Sequence, residues 1–237
     1  MPKKLHVDVW SDIVCPWCAI GKRRLERAIE QFAHREDVDV TWRAFELDPR
    51  APAGYPAEQG DNAARLGEKY GRSRAEALAM MRNVEQTAAK DGLDLRLTTA
   101  RTGNTFDAHR VLKLAADHGL QGAVKERLMR GYMTEGEAIG EREVLVKLAS
   151  EAGLDANEVR EALAGDRYAS EVRDEERGAR TLGINGVPFF VFGGKYAVSG
   201  AQPSQVLLGA LERAWEDLPD SGGTTEEGAA CTPDGCA

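Results

Sequence analysis

Strand-forming pattern is confined to the two ends of this chain, with a long helical stretch between them. Leu5 to Trp10 (Leu-His-Val-Asp-Val-Trp) alternates and is rich in β formers, so it reads as a strand. From Pro16 to about Arg35, Ile20, Leu25, Ala28, Ile29 and Phe32 recur at helical spacing, with Lys, Arg and Glu on the other face. A second strand is predicted over Val38 to Leu47, ending at Asp48-Pro49, and a turn-rich break follows at Pro52-Ala53-Gly54-Tyr55-Pro56. Helical pattern then covers Ser73 to Asp91, Thr105 to His118, Gly122 to Met133, Glu141 to Gly153, Ala156 to Leu163 and Tyr168 to Thr181, with no fixed-period repeat. Strands return at Val187 to Phe192 and at Tyr196-Ala197-Val198, joined by a Gly193-Gly194 turn. A last helix opens at Gln202-Pro203-Ser204 and runs to about Leu218. The order β-α-β, helices, β-β-α is that of one sheet whose two parts are separated by a helical insertion. The expected division is 1–52 and 182–218 for the two parts of the sheet domain, 53–181 for the insertion, and 219–237 for a flexible tail.

Charge narrows the partners. The net charge is −8, so the chain repels phosphate backbones and nucleic-acid binding is not expected. No apolar run approaches the roughly 18 residues of a membrane span. Lys3 and Lys4 precede only a short apolar stretch that already contains His6, Asp8 and Asp12, which is no secretory h-region. A cytoplasmic location is expected.

The four cysteines form two close pairs, Cys15/Cys18 and Cys231/Cys236. In a reducing compartment such pairs are more often catalytic or metal-binding than structural. Cys15 stands between a strand and a helix start, where free N–H groups and the helix dipole stabilise a thiolate. Cys18, three residues on, lies close enough to resolve a mixed disulfide and should be the less exposed sulfur. Pro16 suits the first helical position, and Pro16-Trp17 fixes the turn between the sulfurs. The competing reading, half of a structural zinc site, is disfavoured by this placement and because the other candidate ligands sit in the tail. Neither a resident metal nor a cofactor is expected. Cys231-Thr232-Pro233-Asp234-Gly235-Cys236 is a turn sequence that brings its two sulfurs together, a candidate accessory redox pair exchanging with Cys15/Cys18 or an outside donor.

Pro188 begins an otherwise apolar strand, an unusual place for proline. X-Pro bonds alone adopt cis at a modest cost of about 0.5–1 kcal/mol. A cis Val187-Pro188 would present the Val187 backbone to an extended substrate. The segment from Ser11 through Cys15-Pro16-Trp17-Cys18 to Gly21 resembles the active-site motif of the DsbA-like thioredoxin superfamily, in its cytoplasmic FrnE-type branch. Gly183 to Val191 is similar to that family's cis-proline loop, Lys195 to Pro203 to its closing hairpin, and Asn104 to Arg110 to a helix of its inserted domain. The resemblance implies a thioredoxin-like fold with a large inserted α-helical domain, Cys15 as nucleophile, Cys18 as resolving thiol and cis Pro188 beside them. It implies thiol–disulfide oxidoreductase or isomerase activity on protein or peptide thiols, with glutathione as a further partner. The family's glutathione-dependent isomerases and transferases are the rival reading, and they usually carry serine at the first cysteine position. A zinc-binding, chaperone-like module is the remaining alternative. Asn104 and His109 are candidates for a substrate pocket, although a lone helical histidine is more often structural. Core packing is expected of Trp10 and Phe106, and exposure of Trp17.

Overall fold

The structure, a computed structural model, describes residues 3–53 and 61–219. Alternation in the first segment makes strand β1 (Leu5–Ser11), which sends Leu5, Val7 and Val9 to one face. Helix α1 (Pro16–Gln31) crosses over to β2 (Val38–Ala44), which pairs parallel with β1. The late strands β3 (Phe189–Phe192) and β4 (Tyr196–Ser199) form a hairpin, and β3 pairs antiparallel with β1. The sheet order is β2-β1-β3-β4, so the two ends of the chain meet in its middle.

Between β2 and β3 run seven helices: α2 (Asn62–Tyr70), α3 (Arg74–Lys90), α4 (Phe106–Asp117), α5 (Gln121–Met133), α6 (Arg142–Glu151), α7 (Ala156–Ala164) and α8 (Ala169–Thr181). The last helix is α9 (Ser204–Glu216). One sheet face is sealed by α1 and α9, where Leu25, Ala28, Leu207 and Leu211 pack on Val7, Val9, Phe190 and Phe192. The other face carries Trp10, which packs with Ala179 of α8 and Ile184. A second core joins the start of α1 to the inserted helices, through Ile13, Cys18 and Ile20 against residues such as Leu112, Leu128 and Met133. The N-terminal end of α1 therefore sits where the sheet meets the helices that run between β2 and β3.

The structure departs from the sequence reading at two element ends and in one additional helix. The first helix stops at Gln31, because Phe32 leaves helical geometry to pack edge-on against Trp215; a 3₁₀ turn at Arg35–Asp37 follows. Strand β2 stops at Ala44 rather than Leu47. The Leu47 N–H turns to Asp12 Oδ2 at 2.8 Å, and the Ala44 N–H donates to Glu175 Oε2 at 2.7 Å. Helix α2 falls in a stretch where no helix was predicted, yet it is capped at both ends. The Asp61 carboxylate accepts from the Ala64 N–H, and Gly71 closes the helix in the left-handed region at φ 62°.

Candidate active site

Cys15 is the N-cap of α1, in extended backbone geometry, with Pro16 in the first turn as its fixed φ favours. The Cys15 carbonyl accepts from the N–H groups of Cys18 and Ala19, which closes the first turn. Cys15 retains 5% of its surface and Cys18 none, the order expected of an attacking and a resolving sulfur. Trp17, between them, is 43% exposed.

The loop before β3 approaches from the opposite side. The Val187–Pro188 peptide is cis. The Cys15 thiol donates to the Val187 carbonyl at 3.6 Å. Pro188 also leans on the dithiol helix at Gly21. A Cβ placed there would come 2.8 Å from Pro188 Cγ and 3.1 Å from Phe190 Cζ, so glycine is required by close approach. The Gly200 N–H holds the far side of the loop through the Pro188 carbonyl at 2.8 Å. Cys15, Cys18, Val187 and Pro188 are thus gathered at one point, with Pro16 and Trp17 at its rim. Cys231 and Cys236 lie outside the described residues.

Burial is the main reason the Cys18 thiol is pushed well above its ordinary range, and its hydrogen bond and charge interaction with Cys15 add to this. A backbone interaction with Asp12 and the charge of Lys125 oppose the shift without reversing it. Near the sulfurs lie three buried polar side chains, of which the sequence offered His109 as a pocket candidate and passed over Asp12 and Lys125. Asp12 follows β1 and has no exposed surface; its Oδ2 takes the Leu47 N–H, while its Oδ1 has no hydrogen-bond partner. His109 of α4 brings Nε2 to 3.5 Å from that oxygen. Lys125 of α5 is fully buried, its Nζ without a hydrogen-bond partner and 4.9 Å from the centre of the Trp42 ring. The sequence carries one signal for it: Lys125 falls on the buried stripe of α5 formed by Gln121, Leu128 and Tyr132, where a charged residue is out of place. Asn104 serves the start of α4 instead, its Oδ1 accepting from the Phe106 N–H at 2.9 Å. Trp10 is buried as expected, and its indole N–H donates to the Glu175 carbonyl. Among the described residues, no three His, Cys, Asp or Glu side chains are grouped to hold a metal, and no helix is long and apolar enough to cross a membrane.

The DSBA-like thioredoxin domain family matches residues 6–212. The solved structure of a probable DsbA oxidoreductase from Streptomyces coelicolor is 43% identical, covers 98% of both chains and superposes with a TM-score of 0.85. A cytosolic disulfide reductase, DsbM from Pseudomonas aeruginosa, solved with glutathione, shares the fold at 20% identity and TM-score 0.55, over 89% of this chain and 96% of that one. The protein YwbO of Bacillus subtilis is 28% identical over 209 residues, 87% of this chain and 96% of its own length.

Proposed function

The chain belongs to the DSBA-like thioredoxin domain family, and we propose that it exchanges disulfides with protein or peptide thiols through Cys15 and Cys18. The observation that carries this reading is the asymmetry of the two sulfurs. Cys15 ends a helix and touches the Val187 carbonyl, while Cys18 is sealed behind it. Cys15 attacks one sulfur of a substrate disulfide, and the other leaves as a thiolate. Cys18 then attacks Cys15, releasing the second substrate sulfur and leaving a Cys15–Cys18 disulfide. The reverse sequence oxidises substrate thiols. Val187 offers backbone groups to an extended peptide, and exposed Trp17 gives an apolar rim for its side chains. Glutathione is proposed as a small thiol partner, supported by the fold shared with a disulfide reductase solved with it. The cytoplasm is the proposed compartment.

The test is the redox equilibrium of the purified protein in glutathione buffers, coupled to turnover of insulin or scrambled ribonuclease. Cys15→Ser is expected to abolish turnover, and Cys18→Ser to trap substrate as a mixed disulfide on Cys15. Full turnover by Cys18→Ser would sink the dithiol reading in favour of a glutathione-dependent isomerase or transferase. The tail pair Cys231/Cys236 is proposed as an exchange partner for the first pair. A chain ending at Pro219 should then turn over more slowly, and unchanged turnover would remove that role.

A further inference from the structure

We propose that Arg24 of α1 is a positioning residue for disulfide exchange. Braced by Asp91 at the end of α3, it fixes the loop after β4 and, through that loop, the Val187 backbone beside Cys15. The proposal rests on the dithiol reading above and deepens it, because it gives the inserted helices a part in peptide binding. The Arg24 guanidinium spans two elements. Its Nε donates to Asp91 Oδ2 at 2.8 Å, and its Nη1 donates to the Ala201 carbonyl at 2.6 Å. Asp91 is the buried C-cap of α3, and its other oxygen accepts from Arg27 Nη1 at 2.7 Å. A planar guanidinium gripped at Nε by a carboxylate that is itself held on both oxygens has its direction set. The Nη1 that meets Ala201 is therefore aimed before any substrate arrives.

Ala201 adjoins the residue that holds the active-site loop. The Gly200 N–H donates to the Pro188 carbonyl at 2.8 Å, and the preceding carbonyl, that of Val187, takes the Cys15 thiol at 3.6 Å. Hydrogen bonds and single backbone steps thus run from Asp91 through Arg24, Ala201, Gly200 and Pro188 to Val187 and Cys15. Within the loop, the Gln202 N–H donates to the Gly200 carbonyl and the Gln202 amide to the Ser199 carbonyl, bonds that shape the loop without placing it against α1. Gly21 and Arg24 are three residues apart on α1 and so share a face. Gly21 lies against the Pro188 ring, and Arg24 holds the Ala201 carbonyl. The first contact is steric and stops the loops from coming closer; the second is attractive and stops them from moving away. Together they set the separation between the Val187 backbone and the helix that carries Cys15. A peptide that pairs with Val187 while Cys15 attacks its disulfide needs that separation fixed. A small disulfide that meets only the sulfur does not.

Insulin, whose disulfides sit in peptide backbone, and Ellman's reagent, which has none, separate the two demands. Arg24→Met removes the bond to Ala201 and keeps most of the side chain's length. It should raise KM for insulin by about tenfold with kcat little changed, and alter the rate of attack on Ellman's reagent by less than about twofold. Arg24→Lys keeps the positive charge facing Asp91 but puts one nitrogen in place of the fork, so KM for insulin should rise in the same direction with the fold intact. A general loss of packing would instead slow both substrates. An unchanged KM for insulin in Arg24→Met, or insulin and Ellman's reagent slowed alike, overturns the proposal. If that variant does not fold, either result in Arg24→Lys overturns it equally. A native protein that reduces neither disulfide refutes the dithiol reading itself, a separate outcome.

Discussion

Lys125 destabilises the fold that holds it, and the sign can be worked out. Its folded-state value, about 8, lies below the ordinary 10.5, so the unfolded chain binds the proton more tightly. The penalty is fully present below about pH 8 and is relieved as pH rises toward 10.5. Lys125→Met should therefore raise stability at pH 7, by about 3 kcal/mol at roughly 1.4 kcal/mol per pH unit. The gain should shrink to nothing near pH 10.5, a trend that urea unfolding at several pH values would reveal. Gly21→Ala works in the opposite direction. The added methyl meets Pro188 and Phe190, so stability should fall by about 1–3 kcal/mol in thermal or denaturant unfolding. At this scale the sequence was legible where residue type and spacing name a chemistry, as at Cys15 and Cys18. It was opaque where the chemistry depends on burial. Lys125 gives only the signal of its place on the buried stripe of α5, and its complete burial shows only once that helix is packed.

Between elements, the join of β2 to α8 is made by charges. Glu46, just past β2, has a fully buried side chain, and Arg173 of α8 reaches it at 2.5 Å while also holding Glu176 at 2.7 Å. Burial pushes the Glu46 carboxyl up; Arg173 opposes this, but the neighbouring Glu176 adds to it. A carboxyl raised in the folded state costs stability increasingly as pH climbs above the ordinary 4.5, and the full cost is present above its folded-state value. Glu46→Gln should accordingly raise the melting temperature at neutral pH and make no such gain in acid, where both states are protonated. Periodicity located nearly every helix, because their apolar stripes are long. It set the end of β2 too late, because the competing acceptors, Asp12 and Glu175, are brought there from elsewhere in the chain. It passed over α2, a short helix whose buried stripe is made of small residues, Ala63 and Gly67.

Across the whole molecule, α1 is the strut on which both halves meet. Its polar face is tied to α5 by Lys22 and Arg23, which hold Glu126 at 2.5 Å and 3.0 Å. It is tied to the end of α3 by Arg24 and Arg27, which share Asp91. Burial works against the Glu126 carboxylate, but Lys22 and Arg23 outweigh it and hold its value below the usual range. A carboxylate lowered in this way stabilises the fold above the ordinary 4.5 and ceases to do so as pH falls through its folded-state value. Glu126→Gln should therefore speed hydrogen exchange in α5 at neutral pH and have little effect in acid. Exchange unchanged at neutral pH would mean that apolar packing alone joins the halves. The arrangement of one sheet with inserted helices was readable from where β pattern occurs, since two strand-bearing ends can share a sheet only if the middle loops out. Which charged residues cross the junction was not, because α1 spreads its basic residues around its surface and only packing selects among them.

The outer border of β2 is occupied by side chains rather than by another strand. The Gln121 amide accepts from the Trp42 N–H at 2.9 Å and donates to the Trp42 carbonyl at 3.1 Å, and Glu175 takes the next inward N–H, that of Ala44. The opposite border, β4, has no second strand beside it among the described residues. Among the described residues the sheet thus has one border sealed by side chains and one with no strand beside it. Growth by strand addition has a single direction, and two copies joined along β4 would consume both open sides at once. Self-association through the sheet would end at a pair, with no free border left from which a fibre could propagate.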